Sequence, residues 1–250
     1  MIDLHCHLLP ALDDGPPDLG AALRLARAQA DAGVRTVAAT PHVSPAFATD
    51  AALVERGVEE LRLALAVAGI ELTLIGAAEL DLTTALELPD EQLARLQLGG
   101  DRLLIEAPLT PVAPLEPGIA ALHGRGFGVL LAHPERSPLL QRDPQALGRL
   151  VRAGVRTQLT AGGLGGQFGR AVQRFALQIA GDGLAHTLAS DSHDVARRPP
   201  GLRAPLEEAG YGDHALLLCE RHPAALLAGE PLPETVPLKR RRGLLGRLRG

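Results

Sequence analysis

The sequence has no tryptophan, and aromatic residues make up 2% of its 250 positions. Four Phe and one Tyr offer no stacking platform for single-stranded nucleic acid, and the core must be built from Leu, Ala, Val and Ile. Cysteine is equally scarce. Cys6 and Cys219 stand far apart, which excludes a disulfide scaffold of the secreted type and fits a reducing cytoplasm. No basic stretch followed by an apolar one precedes the first motif residues, so no signal peptide is expected. No apolar run approaches the roughly 20 residues that span a bilayer. These absences together predict a soluble cytoplasmic protein.

Acidic residues are missing after Glu234. The formal net charge is -4, yet Lys239, Arg240, Arg241, Arg242, Arg247 and Arg249 follow one another with no acid between them. The rest of the chain is therefore clearly acidic, and an acidic body repels the phosphate backbone of nucleic acid.

What is present is an alternation of short apolar runs with longer amphipathic stretches, the pattern of repeating βα units around a mostly parallel sheet. Strands are expected at 2–7, 34–40, 71–80, 103–107, 128–133, 155–160 and 185–191. Helices are expected at 19–32, 51–68, 117–125, 144–153 and 169–182. Gly33, Gly69 and Gly154 stand where helix ends need a left-handed residue. Seven strands with intervening helices suggest an α/β barrel, complete or distorted, with a doubly wound open sheet as the alternative. No linker divides the chain before Pro231, so 1–230 is expected to form one domain and 231–250 a basic tail.

Nearly every expected strand delivers a His, Asp or Glu at its C-terminal end, the end at which α/β barrels assemble their active sites. The first gives His5 and His7, with Asp13 and Asp14 just beyond. The others give His42, Glu79, Glu106, His133 with Arg136, and finally Asp191 and His193. Side chains alternate along a strand, so His5 and His7 point one way and Cys6 the other. Asp191 and His193 repeat that spacing. Several imidazoles and carboxylates without an obligatory thiolate suit Mn, Fe or Zn. Metals a few ångströms apart lower the pKa of a bridging water and hold phosphoryl oxygens for attack. Arg136 adds a guanidinium that can grip the same phosphate, and Arg197 and Arg198 offer a second grip.

Other polar residues take plainer readings. Asp13-Asp14-Gly15 has turn character; Asp14 is preferred as a ligand, with Asp13 left open. His123, His186, His214 and His222 read as structural or solvated, and Cys6 as a small packed hydrophobe. Glu135 reads as a local salt link or helix start. Gly162-Gly163 and Gly165-Gly166 lack the Gly-Lys-Ser/Thr ending of a phosphate loop and are expected to form a flexible turn.

The stretches MIDLHCHLLPALDDG (1–15), ATPH (39–42), GAAEL (76–80), LIEAP (104–108), LAHPER (131–136) and ASDSH (189–193) together resemble the PHP (polymerase and histidinol phosphatase) superfamily. Within it they look most like the bacterial manganese-dependent protein tyrosine phosphatases of capsule and exopolysaccharide loci. The likeness runs over residues 1 to about 200, in the family's order. It implies a distorted (β/α)7 TIM-like barrel with three metal ions, Mn first and Fe or Zn next. One ion would take His5, His7, Glu79 and Asp191. A second would share Glu79 and add Glu106 and His133, and the third would use Asp14, His42 and His193. Arg136 and Arg198 match the family's phosphate-contacting arginines. The substrate implied is phosphotyrosine on a tyrosine kinase that regulates polysaccharide export.

The sequence departs from that pattern at Ser137, where this branch often has Tyr, and in its thin supply of aromatic residues. Two other functions therefore stay open: a small-molecule phosphatase of the superfamily, such as one acting on histidinol phosphate, and a non-catalytic metal-binding scaffold of polysaccharide export. The basic tail reads either as a disordered solubilising end or as a contact with an acidic partner or the anionic inner membrane face.

Overall fold

Parallel strands carry the fold: β1 (Ile2–Cys6), β2 (Thr36–Ala39), β3 (His42–Val43), β4 (Thr73–Gly76), β5 (Glu79–Leu80), β6 (Arg102–Glu106), β7 (Gly128–Ala132), β8 (Arg156–Thr160) and β9 (Thr187–Ala189). The computed structural model describes residues 1–110, 114–232 and 237–239. The strands form two runs, β1-β2-β4 and β3-β5-β6-β7-β8-β9, with every pairing parallel.

Among the described residues, nine strands occupy seven positions. Between β2 and β3 stands Pro41, which has no N–H for the ladder and breaks the strand in two. Between β4 and β5 the chain likewise departs from strand geometry at Ala77 and Ala78. The broken pieces remain paired, since Ala77 N–H donates to Ala39 O at 3.0 Å and Glu79 N–H to Pro41 O at 3.1 Å. The single strand expected at 71–80 is thus two short ones, in different runs. The seam between β9 and β1 closes through Asp191 N–H to His5 O and His7 N–H to Ser192 O, both 2.9 Å. The result is a distorted seven-position (β/α) barrel.

The principal helices lie where the periodicity places them, at Leu19–Asp31, Ala51–Val67, Leu115–Gly124, Pro144–Arg152 and Arg170–Gly181. Asp18 and Asp50 start the first two by accepting the Ala21 and Leu53 N–H groups, each at 2.8 Å. Shorter helices were not legible, among them Leu82–Glu87, Asp90–Arg95 and Arg203–Glu208. Ala161–Gly165, expected as a flexible turn, is a short helix whose Gly163 and Leu164 are buried.

A cluster of Leu4, Ala38, Leu104, Leu130 and Ala132 fills the barrel beneath the ends of the strands. Burying each such leucine contributes about 1.5–3 kcal/mol. The β1–β2 register shifts between Asp3 and Cys6. That irregularity lets Leu4 join this apolar cluster while His5, the next residue, turns toward Gln158 and Glu79. Within β1, Asp3 accepts hydrogen bonds from Ser190 N–H at 3.0 Å and Gln29 Nε2 at 2.8 Å, and the Ser190 hydroxyl donates to it as well. The seam is thereby tied from behind.

Leu238 is buried and its N–H donates to Ala180 O at 3.0 Å, so the chain still meets the barrel beyond the expected boundary at 230. The basic residues Arg240 to Arg249 lie outside the described residues. Among the described residues, no helix is long and apolar enough to cross a membrane.

Candidate metal centre

All nine candidate ligands come together at the C-terminal ends of the strands. Glu79 Oε2 sits at the middle, 3.2 Å from His5 Nε2, 3.3 Å from His7 Nε2 and 3.1 Å from His42 Nδ1. Its other oxygen meets His133 Nε2 at 2.8 Å. Asp191 Oδ1 lies 3.5 Å from both His5 Nε2 and His7 Nε2. On the outer side Asp14 Oδ1 faces His193 Nε2 at 3.2 Å and His42 Nε2 at 3.7 Å. Three overlapping sets bring their ligand atoms within 4.8 Å of one another: His7, Asp14, His42 and His193; His5, His7 and Glu79; His42, Glu79 and Glu106.

Hydrogen bonds at the back of the rings aim their lone pairs inward. His5 Nδ1 donates to Gln158 Oε1 at 2.9 Å, His7 Nδ1 to Asp13 Oδ2 at 2.6 Å, and His193 Nδ1 to the Asp191 carbonyl at 3.1 Å. Each bond leaves Nε2 as an acceptor, the usual way a protein prepares imidazole for a metal. This separates Asp13 from Asp14. Asp13 orients His7 and also accepts the His42 and Gly15 N–H groups at 2.9 Å, while Asp14 faces the cluster. Gln158 went unnoticed in the sequence, because an amide in mid-strand carries no signal of metal chemistry.

The donor set fits metal ions. His5 Nε2 and His7 Nε2 are 3.2 Å apart and both face carboxylate oxygens, which against burial raise both rings above the ordinary imidazole value, so the cluster calls for positive charge. Asp191 Oδ1 and His133 Nδ1 are buried without a hydrogen-bond partner. Crowded carboxylates are costly to bury unless positive charge, protons or metal ions, accompanies them. The carboxylates agree. Burial opposes charge on Glu79, yet the His5 and His133 imidazoles outweigh it and hold the carboxyl well below the usual range. Asp191 is held low in the same way, by His5, His7 and Arg198 against its own burial. At Glu106 burial and the Glu79 charge outweigh His133, Arg136 and His5 and push it up to about 6. A divalent ion between Glu79 and Glu106 would relieve that repulsion.

Both expected arginines reach Asp191. Arg136 Nη1 donates to Oδ2 at 2.9 Å, and Arg198 Nη2 pairs with the same oxygen while its Nη1 donates to His193 Nε2 at 2.7 Å. Arg197 contributes its carbonyl to Gln167 rather than a guanidinium to the cluster. Two of the four phenylalanines also stand here. Phe47 stacks on His42, and the Arg136 guanidinium lies 4.5 Å over the Phe168 ring.

Backbone strain concentrates at this end of the barrel. Of the three non-glycine residues with positive φ among the described residues, His133 (φ 34) and Asp191 (φ 52) are candidate ligands. Glu135, one step beyond Pro134, is fully buried and accepts Thr160 N–H at 2.8 Å and Thr160 Oγ1 at 2.7 Å. Among the described residues it forms no salt link; it lies in the single-turn helix Pro134–Arg136, the other reading, and pins the turn that carries His133 and Arg136. The other histidines lie elsewhere. His186 accepts Thr157 N–H, His222 donates to the His186 carbonyl, and His214 meets Lys239 O.

The family model for capsular polysaccharide synthesis, CpsB/CapC, matches residues 1–211. The tyrosine-protein phosphatase YwqE of Bacillus subtilis is 34% identical over 201 residues, 79% of each chain. The tyrosine-protein phosphatase CpsB of Streptococcus pneumoniae is 25% identical over 208 residues, 80% of this chain and 86% of that one. A solved structure from the pair YwqE and CpsB, described as metal-dependent tyrosine phosphatases, superposes with a TM-score of 0.80 at 30% identity, covering 97% of this chain and 100% of the other. A D-hydantoinase at 12% identity and a TM-score of 0.54 shares the fold alone.

Proposed function

We propose, since the chain belongs to the CpsB/CapC family of capsular polysaccharide synthesis, that it is a manganese-dependent protein tyrosine phosphatase. Its substrate on this reading is a phosphotyrosine of the tyrosine kinase that regulates polysaccharide export. The observation that carries the proposal is the convergence of His5, His7, Asp14, His42, Glu79, Glu106, His133, Asp191 and His193 on one cluster beside two arginines.

Three ions would be held as the resemblance implies: one by His5, His7, Glu79 and Asp191, one by Glu79, Glu106 and His133, and one by Asp14, His42 and His193. Bound ions supply Lewis-acid charge and lower the pKa of a water at the site. The chain's own contribution is position and charge. Glu79 is shared between groups through its two oxygens, which fixes their spacing. Asp13 and Gln158 keep His7 and His5 in the tautomer that presents Nε2. Arg136 and Arg198, anchored on Asp191 Oδ2, grip the phosphoryl oxygens and stabilise charge that develops as the ester bond breaks. The Phe168 ring packs against the Arg136 guanidinium and steadies it. The free, buried Cys6 and Cys219 accord with a reducing compartment.

The test is phosphate release from a phosphotyrosyl peptide and from histidinol phosphate, each with added Mn²⁺ and after chelation. Chelator-sensitive turnover favouring the peptide is the expected result. Preference for histidinol phosphate would reassign the substrate, and metal binding without turnover of either would leave a scaffold role.

A further inference from the structure

Beside Glu106 the metal centre opens into a cavity of about 520 Å³ that the chemistry of metals and arginines does not use. It runs from the end of β5, along the helix Leu82–Glu87, to the start of the helix Leu115–Gly124. Leu82, Leu86, Leu109 and Leu115 line it together with the carboxylates Asp81 and Glu106, of which Glu106 also belongs to the ligand cluster. Leu86 and Leu109 remain 38% and 42% exposed, two of seven large hydrophobic side chains left open to solvent among the described residues.

Among the described residues its lining contains no Lys, Arg or His. Phosphate therefore finds no partner in it, and Glu106 would repel a phosphoryl group displaced toward it. Arg136 and Arg198 lie instead on Asp191. With the phosphoryl group held there and at the metals, the uncharged part of the ester is what can extend past Glu106 onto an apolar wall. Cavities of roughly 300–1,000 Å³ take drug-sized groups, so this one has room for more than a single ring.

We infer that this cavity is the subsite for the aryl ring of the substrate and the apolar peptide side chain next to it. The inference rests on the phosphatase reading above and deepens it: selectivity for an aryl ester comes from the leucine-lined cavity, in a chain with few aromatic residues to build a stacking wall.

The experiment uses the full-length, Mn²⁺-loaded protein and two inhibitors, inorganic phosphate and benzylphosphonate. Leu86→Gln and Leu109→Gln replace exposed rim positions on separate segments, and Leu63→Gln, 63% exposed and outside the cavity, serves as the control. Benzylphosphonate should inhibit the unaltered protein more strongly than phosphate. Its inhibition constant should rise about tenfold in each rim variant, as expected from lost apolar burial, with that of phosphate unmoved. Equal potency of the two inhibitors in the unaltered protein would overturn the inference, as would rim variants that match the control or shift both inhibitors together. If the unaltered protein still hydrolyses phosphotyrosyl peptide in that case, the cavity assignment falls and the phosphatase reading stands. If it hydrolyses none, both fall.

Discussion

A methyl group at Gly163 would lie 2.6 Å from Glu135 Oε1. The short helix Ala161–Gly165 thus packs its backbone directly on the buried carboxylate that pins the His133–Arg136 turn. Gly163→Ala should displace Glu135 and cost about 1–3 kcal/mol, the usual range for overpacking. Thermal unfolding would show this as a fall of roughly 2–12 °C in Tm. An unchanged Tm would mean that the carboxylate is not held as tightly as its contacts indicate.

Glu79 touches four imidazoles, and its removal should reach further than that of a peripheral ligand. Residues one layer outside a metal typically cost about 10–100-fold in affinity or activity, so Glu79→Ala should exceed that. Metal content per chain, measured by mass spectrometry after dialysis, should fall along with turnover. Full metal content in Glu79→Ala would remove Glu79 from the ligand set.

Metal removal should also loosen the fold, because the ligands belong to strands all around the barrel. A ligand present at 100 times its dissociation constant stabilises by about 2.7 kcal/mol, which corresponds to roughly 5–11 °C in a chain of this size. Calorimetry before and after chelation measures this directly. Superimposable transitions would argue against ions holding the strand ends together.

Arg136 and Arg198 share one anchor, Asp191 Oδ2, so their contributions should not add. Loss of one preorganised donor to a transition state typically costs about 10²–10³-fold in kcat. Arg136→Ala and Arg198→Ala should each fall in that range on phosphotyrosyl peptide, and the double variant should fall short of the product. Losses that multiply would show that the two guanidinium groups act independently.

His186 should make the barrel acid-sensitive from the side remote from the metals. Burial, with the Arg156 charge adding to it, depresses its pKa from 6.5 to about 3. Its Nδ1 accepts Thr157 N–H at 3.1 Å, which requires the neutral ring. Between about pH 6.5 and 3 the unfolded chain binds a proton that the folded chain refuses, so stability falls as pH falls through that window. At pH 5 the loss is about 2 kcal/mol. His186→Asn keeps a side-chain acceptor without titrating, and its Tm should depend less on pH between 7 and 5 than that of the unaltered protein. Equal slopes would rule out His186 as the source.

The seven strand positions and the long helices were readable because apolar period and terminal glycines agree there. Each candidate ligand stood out because a His, Asp or Glu at the end of an apolar run has few structural reasons to be there. Other features had no such mark. Asp13 and Asp14 are the same residue side by side, and only geometry sends one to the back of His7 and the other to His193. Gln158 sits in β8, a strand with no acid or histidine to draw attention. The left-handed turns at His133 and Asp191 violate local preference, which is why sequence reasoning could not place them. Ala161–Gly165 was expected as a turn from its glycines, whereas its helix is imposed by packing on Glu135.

The seam between β1 and β9 joins residues 187 positions apart, as the bond from Ser190 to Asp3 shows. His5 and His7 leave the ribosome first among the candidate ligands, and Asp191 and His193 last. At about 5–20 residues per second the interval is roughly ten to forty seconds. Throughout it, an exposed run of histidines and carboxylates waits without the strand that completes it. Metal loading is in this sense a late event in the life of each chain, and a truncated nascent protein cannot carry the finished centre.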